Sequence, residues 1–218
     1  MSIYVFDAYG TLFNVHAAIG RFRGQAGPEA DRMSEMWRAK QLEYSWTLTL
    51  AGRYAEFWTL TERALDYALT RFPSVDKALR PKLLEAYFQL DAFPDARAAL
   101  RTLKAKGHKT GILSNGSPNM LKGAVDAAGV GADLDAVLSV DTLKMFKPRP
   151  EVYGIVTDHF KCKPADVTFV SSNRWDVMAS VSVGFHGLWI NRGKMPDEYF
   201  DFPPGRELND LNEMVALN

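Results

Sequence analysis

Between Phe93 and Ile190 the chain alternates short apolar runs with longer segments of helical spacing, and this rhythm restricts the fold more than any other feature. The runs Thr110 to Ser114, Ala136 to Val140, Val167 to Ser171 and Leu188 to Ile190 are bounded by turn residues and read as buried strands. Segments Pro94 to Lys106, Pro118 to Ala128, Glu151 to Phe160 and Trp175 to Val183 read as the helices between them. Strand and helix in repeated succession predict a parallel sheet covered on both faces. The run from Ile3 adds a further strand, so at least five parallel strands share one sheet. The expected class is α/β, a Rossmann-like, doubly wound core.

The segment between Leu12 and Phe93 breaks this rhythm. From about residue 30 to 90 apolar residues recur at helical rather than strand spacing. Met33, Met36, Trp37 and Tyr44 lie near one face of a first helix, entered through Gly27-Pro28. A second helix, from about Tyr54 to Phe72, carries Phe57, Trp58, Ala64, Leu65 and Ala68 and stops at Pro73. A third covers roughly Lys77 to Leu90, with Leu83, Leu84, Tyr87 and Phe88 inward. The expected division is a catalytic core of residues 1–14 and 93–218, with residues 15–92 inserted as an α-helical cap.

Composition narrows the function by exclusion. Lys plus Arg and Asp plus Glu are 26 each, so no overall basic field exists to gather nucleic acid or an anionic membrane. No window is apolar for long enough to span a bilayer, and the first strand starts without a leader-like segment. A soluble, cytoplasmic protein is expected. The lone Cys162 cannot form an internal disulfide, which fits a reducing compartment; Lys161 and Lys163 beside it could lower its pKa, but a lone loop thiol is more often incidental. His16, His108, His159 and His186 have no metal-like spacing.

Chemistry is expected where the strands end, because ligands of open parallel sheets bind in the crevice outside the carboxyl ends. The first strand ends at Asp7 and Thr11, and the second at Ser114-Asn115-Gly116-Ser117-Pro118. Lys147-Pro148 follows the third, and Ser171-Ser172-Asn173-Arg174-Trp175-Asp176 closes the fourth. Singly, each is ordinary loop composition, since Asp, Ser and Asn also cap helices and form turns. Together they bring a nucleophile, a cation, hydroxyls and a second carboxylate to one edge.

These residues, with Trp37-Arg38-Ala39-Lys40-Gln41-Leu42-Glu43-Tyr44, resemble the L-2-haloacid dehalogenases of the haloacid dehalogenase superfamily. The resemblance spans nearly the whole chain. It implies that Asp7 displaces halide from an L-2-haloacid, forming an ester that water then opens to a D-2-hydroxyacid. It assigns Asp176 to the water, with Ser171, Asn173 and Lys147 around it, and Thr11 to orienting Asp7. Arg38, Asn115 and the ring edge of Trp175 would receive the halide, and Ser114 with backbone near Tyr9 and Asn115 the substrate carboxylate. Without the family match, Arg38 would read as a surface ion pair with Glu35 or Glu43. Leu42, Phe57, Tyr9 and Trp175 would wall the alkyl group; Leu42 and Phe57 fall on stripes that any three-helix cap must bury, so packing explains them without a substrate and the resemblance alone makes them pocket candidates. Tyr153 matches a tyrosine near the site in relatives, and packing on the sheet is an equal account of it.

The resemblance further implies no cofactor, no metal, a small 2-haloacid as the only ligand, halide as a product and a homodimer. The competing enzyme reading is a superfamily phosphatase. Phosphatases usually hold a second aspartate two residues after the nucleophile to protonate the leaving group, where this chain has Tyr9; a halide needs no proton. Near the fourth strand the chain offers Ser171, Ser172 and Asn173, a poor set for magnesium, which takes carboxylate oxygens. A binding protein that merely keeps the fold is the third reading, and the full set Asp7, Arg38, Lys147 and Asp176 opposes it.

Overall fold

The structure is a computed structural model and describes residues 2–216. In chain order its strands are β1 (Ile3–Phe6), β2 (Lys109–Ser114), β3 (Ala136–Ser139), β4 (Val167–Ser171), β5 (His186–Ile190) and β6 (Arg206–Leu208). They form one parallel sheet in the order β3-β2-β1-β4-β5-β6. Every residue of β1 is buried, as a central strand covered on both faces requires, which is why its sequence runs apolar without alternating. Phe6 pairs with Ile112 on one side and Val170 on the other. The chain works outward through β2 and β3, then crosses β1 to continue at β4, so the strand order reverses between β1 and β4. A crevice at such a reversal is where an open α/β sheet places its ligand.

The helices are α1 (Ala17–Gly20), α2 (Arg23–Ala26), α3 (Ala30–Leu50), α4 (Phe57–Arg71), α5 (Arg80–Phe88), α6 (Ala96–Ala105), α7 (Pro118–Ala128), α8 (Pro150–Phe160), α9 (Arg174–Ser182) and α10 (Leu211–Ala216). Helix α6 packs on β2, α7 on β3, and α9 on β4 and β5. Helices α1 to α5 pack mainly on one another, α3 along α4 and α1 against α5, while α5 also touches α7. Helix α4 stops at Arg71 because Phe72, before Pro73, leaves the helical region with φ −118° and ψ 74°. It starts at Phe57 rather than Tyr54, since Glu56 is extended.

Two elements were not legible in the sequence, β6 and α10. Strand β6 has three residues, of which only Leu208 is buried, so neither apolar run nor alternation marks it. Helix α10 closes over α6 through Leu211 and Met214. Burial, then the nearby Asp166, push the Cys162 thiol above the ordinary value, and no lowering by its lysine neighbours emerges, in keeping with an incidental loop thiol.

Candidate active site

Asp7 follows β1 directly, and its backbone N–H continues the sheet by donating to the Val170 carbonyl at 2.9 Å. Behind it the chain turns sharply: the N–H groups of Leu12 and Phe13 both donate to the Ala8 carbonyl at 2.9 Å. Gly10 makes the turn possible with φ +95°, a conformation side-chain-bearing residues rarely adopt. Thr11 thereby reaches back over Asp7. Its hydroxyl accepts the Ser172 N–H at 2.8 Å, which leaves its proton free for Asp7 Oδ2 at 3.3 Å. The same Oδ2 accepts from Asn173 Nδ2 at 2.7 Å and from Ser171 Oγ at 3.5 Å. Ser171 is oriented like Thr11, because its oxygen takes the Asn173 N–H at 3.1 Å.

Asp7 Oδ1 has a different neighbour. Lys147 Nζ lies 3.3 Å from it and 2.8 Å from Asp176 Oδ2, so one ammonium links the two acids. Lys147 is 1% exposed and Asp176 fully buried. The Lys147 N–H is held in turn by Asn115 Oδ1 at 2.9 Å. Tyr153 donates to Asp176 Oδ1 at 2.5 Å. Burial raises the Asp176 carboxyl, Lys147 opposes it and Asp7 adds to it, with a net rise to about 6. The Tyr153 hydroxyl is raised well above its usual range by burial and then by Asp176, so it remains a proton donor to that acid. Tyr153 therefore touches Asp176 while also packing on Phe169 and Phe185.

Asp7, Tyr9, Arg38, Leu42, Phe57, Ser114, Asn115 and Trp175 enclose a cavity of about 10 Å³. That is about the room one water needs. A cleft of about 640 Å³ adjoins it, sharing Arg38 and Trp175, and carries Asn173 on its wall. Arg38 comes down from α3: Nη2 donates to the Tyr9 carbonyl at 3.1 Å and Nη1 to Gln41 Oε1 at 2.7 Å. Its ion pair with Glu35 or Glu43 is not formed; Glu43 pairs with Lys40 instead. Phe57 is buried and Leu42 half-buried, and both face the cavity as well as the helical layer. The Tyr9 phenol is raised well above its usual range, chiefly by burial, so it is a poor acid at the place where a proton donor could stand. Ser114 closes the floor, its hydroxyl accepting the Gly116 N–H at 3.1 Å.

All fourteen residues singled out in the sequence thus lie at this crevice or on the hydrogen-bonded chain behind it, which runs from Lys147 to Asp176 and on to Tyr153. Sequence reasoning gave no site role to Gln41, Thr61 or Tyr87, buried polar groups inside the helical layer of which only Tyr87 was placed inward; Gln41 bonds to the other two and to Arg38. Arg174 was passed over too; it fastens α9 to Asp197 at 2.6 Å and to the carbonyls of Tyr199 and Phe202 at 2.8 Å. Among the described residues no group of three or more His, Cys, Asp or Glu side chains could hold a metal ion.

Fold and site together define a hydrolase of the haloacid dehalogenase-like class, whose family model matches residues 1–184. (S)-2-haloacid dehalogenase 1 of Pseudomonas sp. (strain CBS-3) is 46% identical over 98% of this chain and 94% of its own. (S)-2-haloacid dehalogenase 4A of Burkholderia cepacia is 44% identical over 98% and 93%. The L-2-haloacid dehalogenase of Xanthobacter autotrophicus, solved with chloropropionic acid covalently bound, superposes with a TM-score of 0.90 at 34% identity, covering 100% of this chain and 98% of that one. The chain belongs to the (S)-2-haloacid dehalogenases, hydrolases acting on carbon–halide bonds.

Proposed function

We propose that this chain converts short L-2-haloacids to D-2-hydroxyacids through an ester on Asp7. The observation that carries the reading is the buried ammonium of Lys147 shared by Asp176 and Asp7, the latter lining one cavity with Arg38. The ammonium sets one positive charge between the nucleophile and the base, opposing the repulsion of two close carboxylates. Asp7 Oδ1 is the attacking atom, because Oδ2 is already engaged by three donors. It displaces halide from C2 on the side opposite the leaving bond, so the bonding pair departs with the halide and C2 inverts.

The donors on Oδ2 then take a second role. Once Oδ1 is esterified, Oδ2 is the carbonyl oxygen, and Asn173, Thr11 and Ser171 face the negative charge it gains when water adds to Cγ. Asp176 accepts the proton of that water, and Tyr153 and Lys147 hold Asp176 in place. The bond from Cγ to Oδ1 breaks, so Oδ1 leaves as the hydroxyl oxygen of the product, protonated by Asp176, while the water oxygen takes its place in the Asp7 carboxylate and the C2 configuration is unchanged in this half. Arg38, Asn115 and Trp175 receive the halide; Ser114 and backbone near Tyr9 and Asn115 receive the carboxylate; Leu42, Phe57 and Tyr9 wall the alkyl group.

The chemistry is metal-independent in this reading, since an ammonium stands between the two acids a cation would need. Residues 15–92 act as a cap domain on a core of residues 1–14 and 93–218. The protein works as a cytoplasmic homodimer, with Leu50 on α3 and Tyr67 on α4 as the exposed apolar contacts its helical layer offers. No helix among the described residues is long and apolar enough to cross a membrane.

Free halide from L-2-chloropropionate, chloroacetate and fluoroacetate in the presence of EDTA tests the activity, beside an aryl phosphate assay with magnesium. Halide release with chelator is expected. Magnesium-dependent phosphate release without halide would replace this reading with a phosphatase.

A further inference from the structure

We infer that Gln41 is a positioning residue for carbon–halide cleavage: it fixes the Arg38 guanidinium at the cavity where the halide leaves. The inference rests on the proposed role of Arg38. Gln41 lies on the face of α3 that also carries Trp37, and it is fully buried in the helical layer. A buried amide is tolerated only when its hydrogen-bonding atoms are paired, and each end of this one is. Oε1 accepts from Arg38 Nη1 at 2.7 Å and from the Tyr87 hydroxyl at 3.1 Å, while Nε2 donates to Thr61 Oγ1 at 2.6 Å.

The direction of the amide follows from Thr61. Its hydroxyl proton goes to the Phe57 carbonyl at 2.8 Å, so toward Gln41 it can only accept. That places Nε2 at Thr61 and leaves the carbonyl oxygen for Arg38. Thr61 is itself pinned, because Trp37 Nε1 donates to its carbonyl at 2.9 Å. The third partner, Tyr87 on α5, stacks on Tyr9 at 5.8 Å, and the Tyr9 carbonyl holds the other end of the guanidinium at 3.1 Å. Three helices and the turn after β1 therefore converge on one flexible side chain. Arg38 is fixed by Nη1 and Nη2 to neutral acceptors, not to a carboxylate, so its full charge remains for an anion. A donor already aimed where charge develops needs no rearrangement as the bond breaks.

The test compares leaving groups. Gln41→Met keeps length and volume but removes the acceptor; Tyr87→Phe removes one of its two supports and serves if the first variant folds poorly. Both are assayed with L-2-chloropropionate and L-2-bromopropionate, with bromide as a competitive inhibitor. We expect kcat for the chloride to fall by about 10- to 100-fold in Gln41→Met, with a smaller fall for the bromide, the better leaving group. Bromide inhibition should weaken in parallel, and Tyr87→Phe should move both readouts the same way by less. An equal loss on both substrates with unaltered bromide inhibition would make Gln41 a packing residue and overturn the inference. Absence of halide release from the wild-type protein would overturn the proposed function itself, and this inference with it.

Discussion

Tyr153 donates its hydroxyl proton to Asp176 Oδ1 at 2.5 Å, so the acid assigned to water activation is held by a neutral phenol on one oxygen and by Lys147 on the other. In the proposed mechanism Asp176 serves as the ionised base, and burial, opposed by Lys147, raises its carboxyl to about 6 from the ordinary 3.8. Activity should therefore be full above that pH and fall away below it. Removing a hydrogen bond to the charged form raises a carboxyl pKa. Tyr153→Phe should move the acid limb of the kcat profile upward by about one pH unit, the size expected when one charge-assisted bond is lost. A profile that drops in height without shifting would mean that Tyr153 only packs.

Lys147→Met removes the ammonium between two buried carboxylates. The cost of an uncompensated buried charge is about 3–5 kcal/mol, and proton uptake by one of the acids relieves part of it. The variant should be less stable in urea at pH 8, regain stability as the pH falls through the raised carboxyl pKa, and release no halide at any pH. Stability equal to wild type at pH 8 would show that water, and not Lys147, screens the pair.

How far such a site can be read from sequence depends on where its residues stand. Asp7, Ser114, Lys147 and Ser171 to Asp176 were legible because each polar residue interrupts or follows an apolar run at the same sheet edge. The cap residues Arg38, Leu42 and Phe57 carry no such mark. A helical stripe looks alike whether it faces a neighbouring helix or a substrate, so only the family pattern singled them out. Gln41 and Thr61 were hidden for the opposite reason: on isolated helices they look solvent-facing, and only the packing of α3 on α4 buries them. Strand β6 and helix α10 are too short for periodicity to reveal.

Gly116 shows a constraint no motif discloses. A Cβ on it would stand 2.7 Å from Tyr9 Cε2 and 3.2 Å from Leu121 Cδ2, so Gly116→Ala must displace the Tyr9 ring. Tyr9 walls the cavity and stacks on Tyr87, which leaves little room to yield. We expect a stability loss of about 1–3 kcal/mol from overpacking. Turnover of L-2-chloropropionate should fall more than that of chloroacetate, which has no methyl group to place. Equal losses on both substrates would put the ring outside the alkyl wall.

Asp176→Asn separates the two halves of the reaction. The amide keeps the shape of the side chain, and Lys147 still faces Asp7, so displacement of halide should continue. It cannot accept a proton from water, so the ester on Asp7 should persist. One equivalent of halide per active site is expected in a burst. Intact-protein mass spectrometry after quenching with L-2-chloropropionate should show the protein heavier by one propionate unit, on the peptide containing Asp7. Asp7→Asn under the same conditions should show neither burst nor added mass. A burst from Asp176→Asn without retained mass would assign water activation to another group, and added mass on a peptide lacking Asp7 would displace Asp7 as the nucleophile.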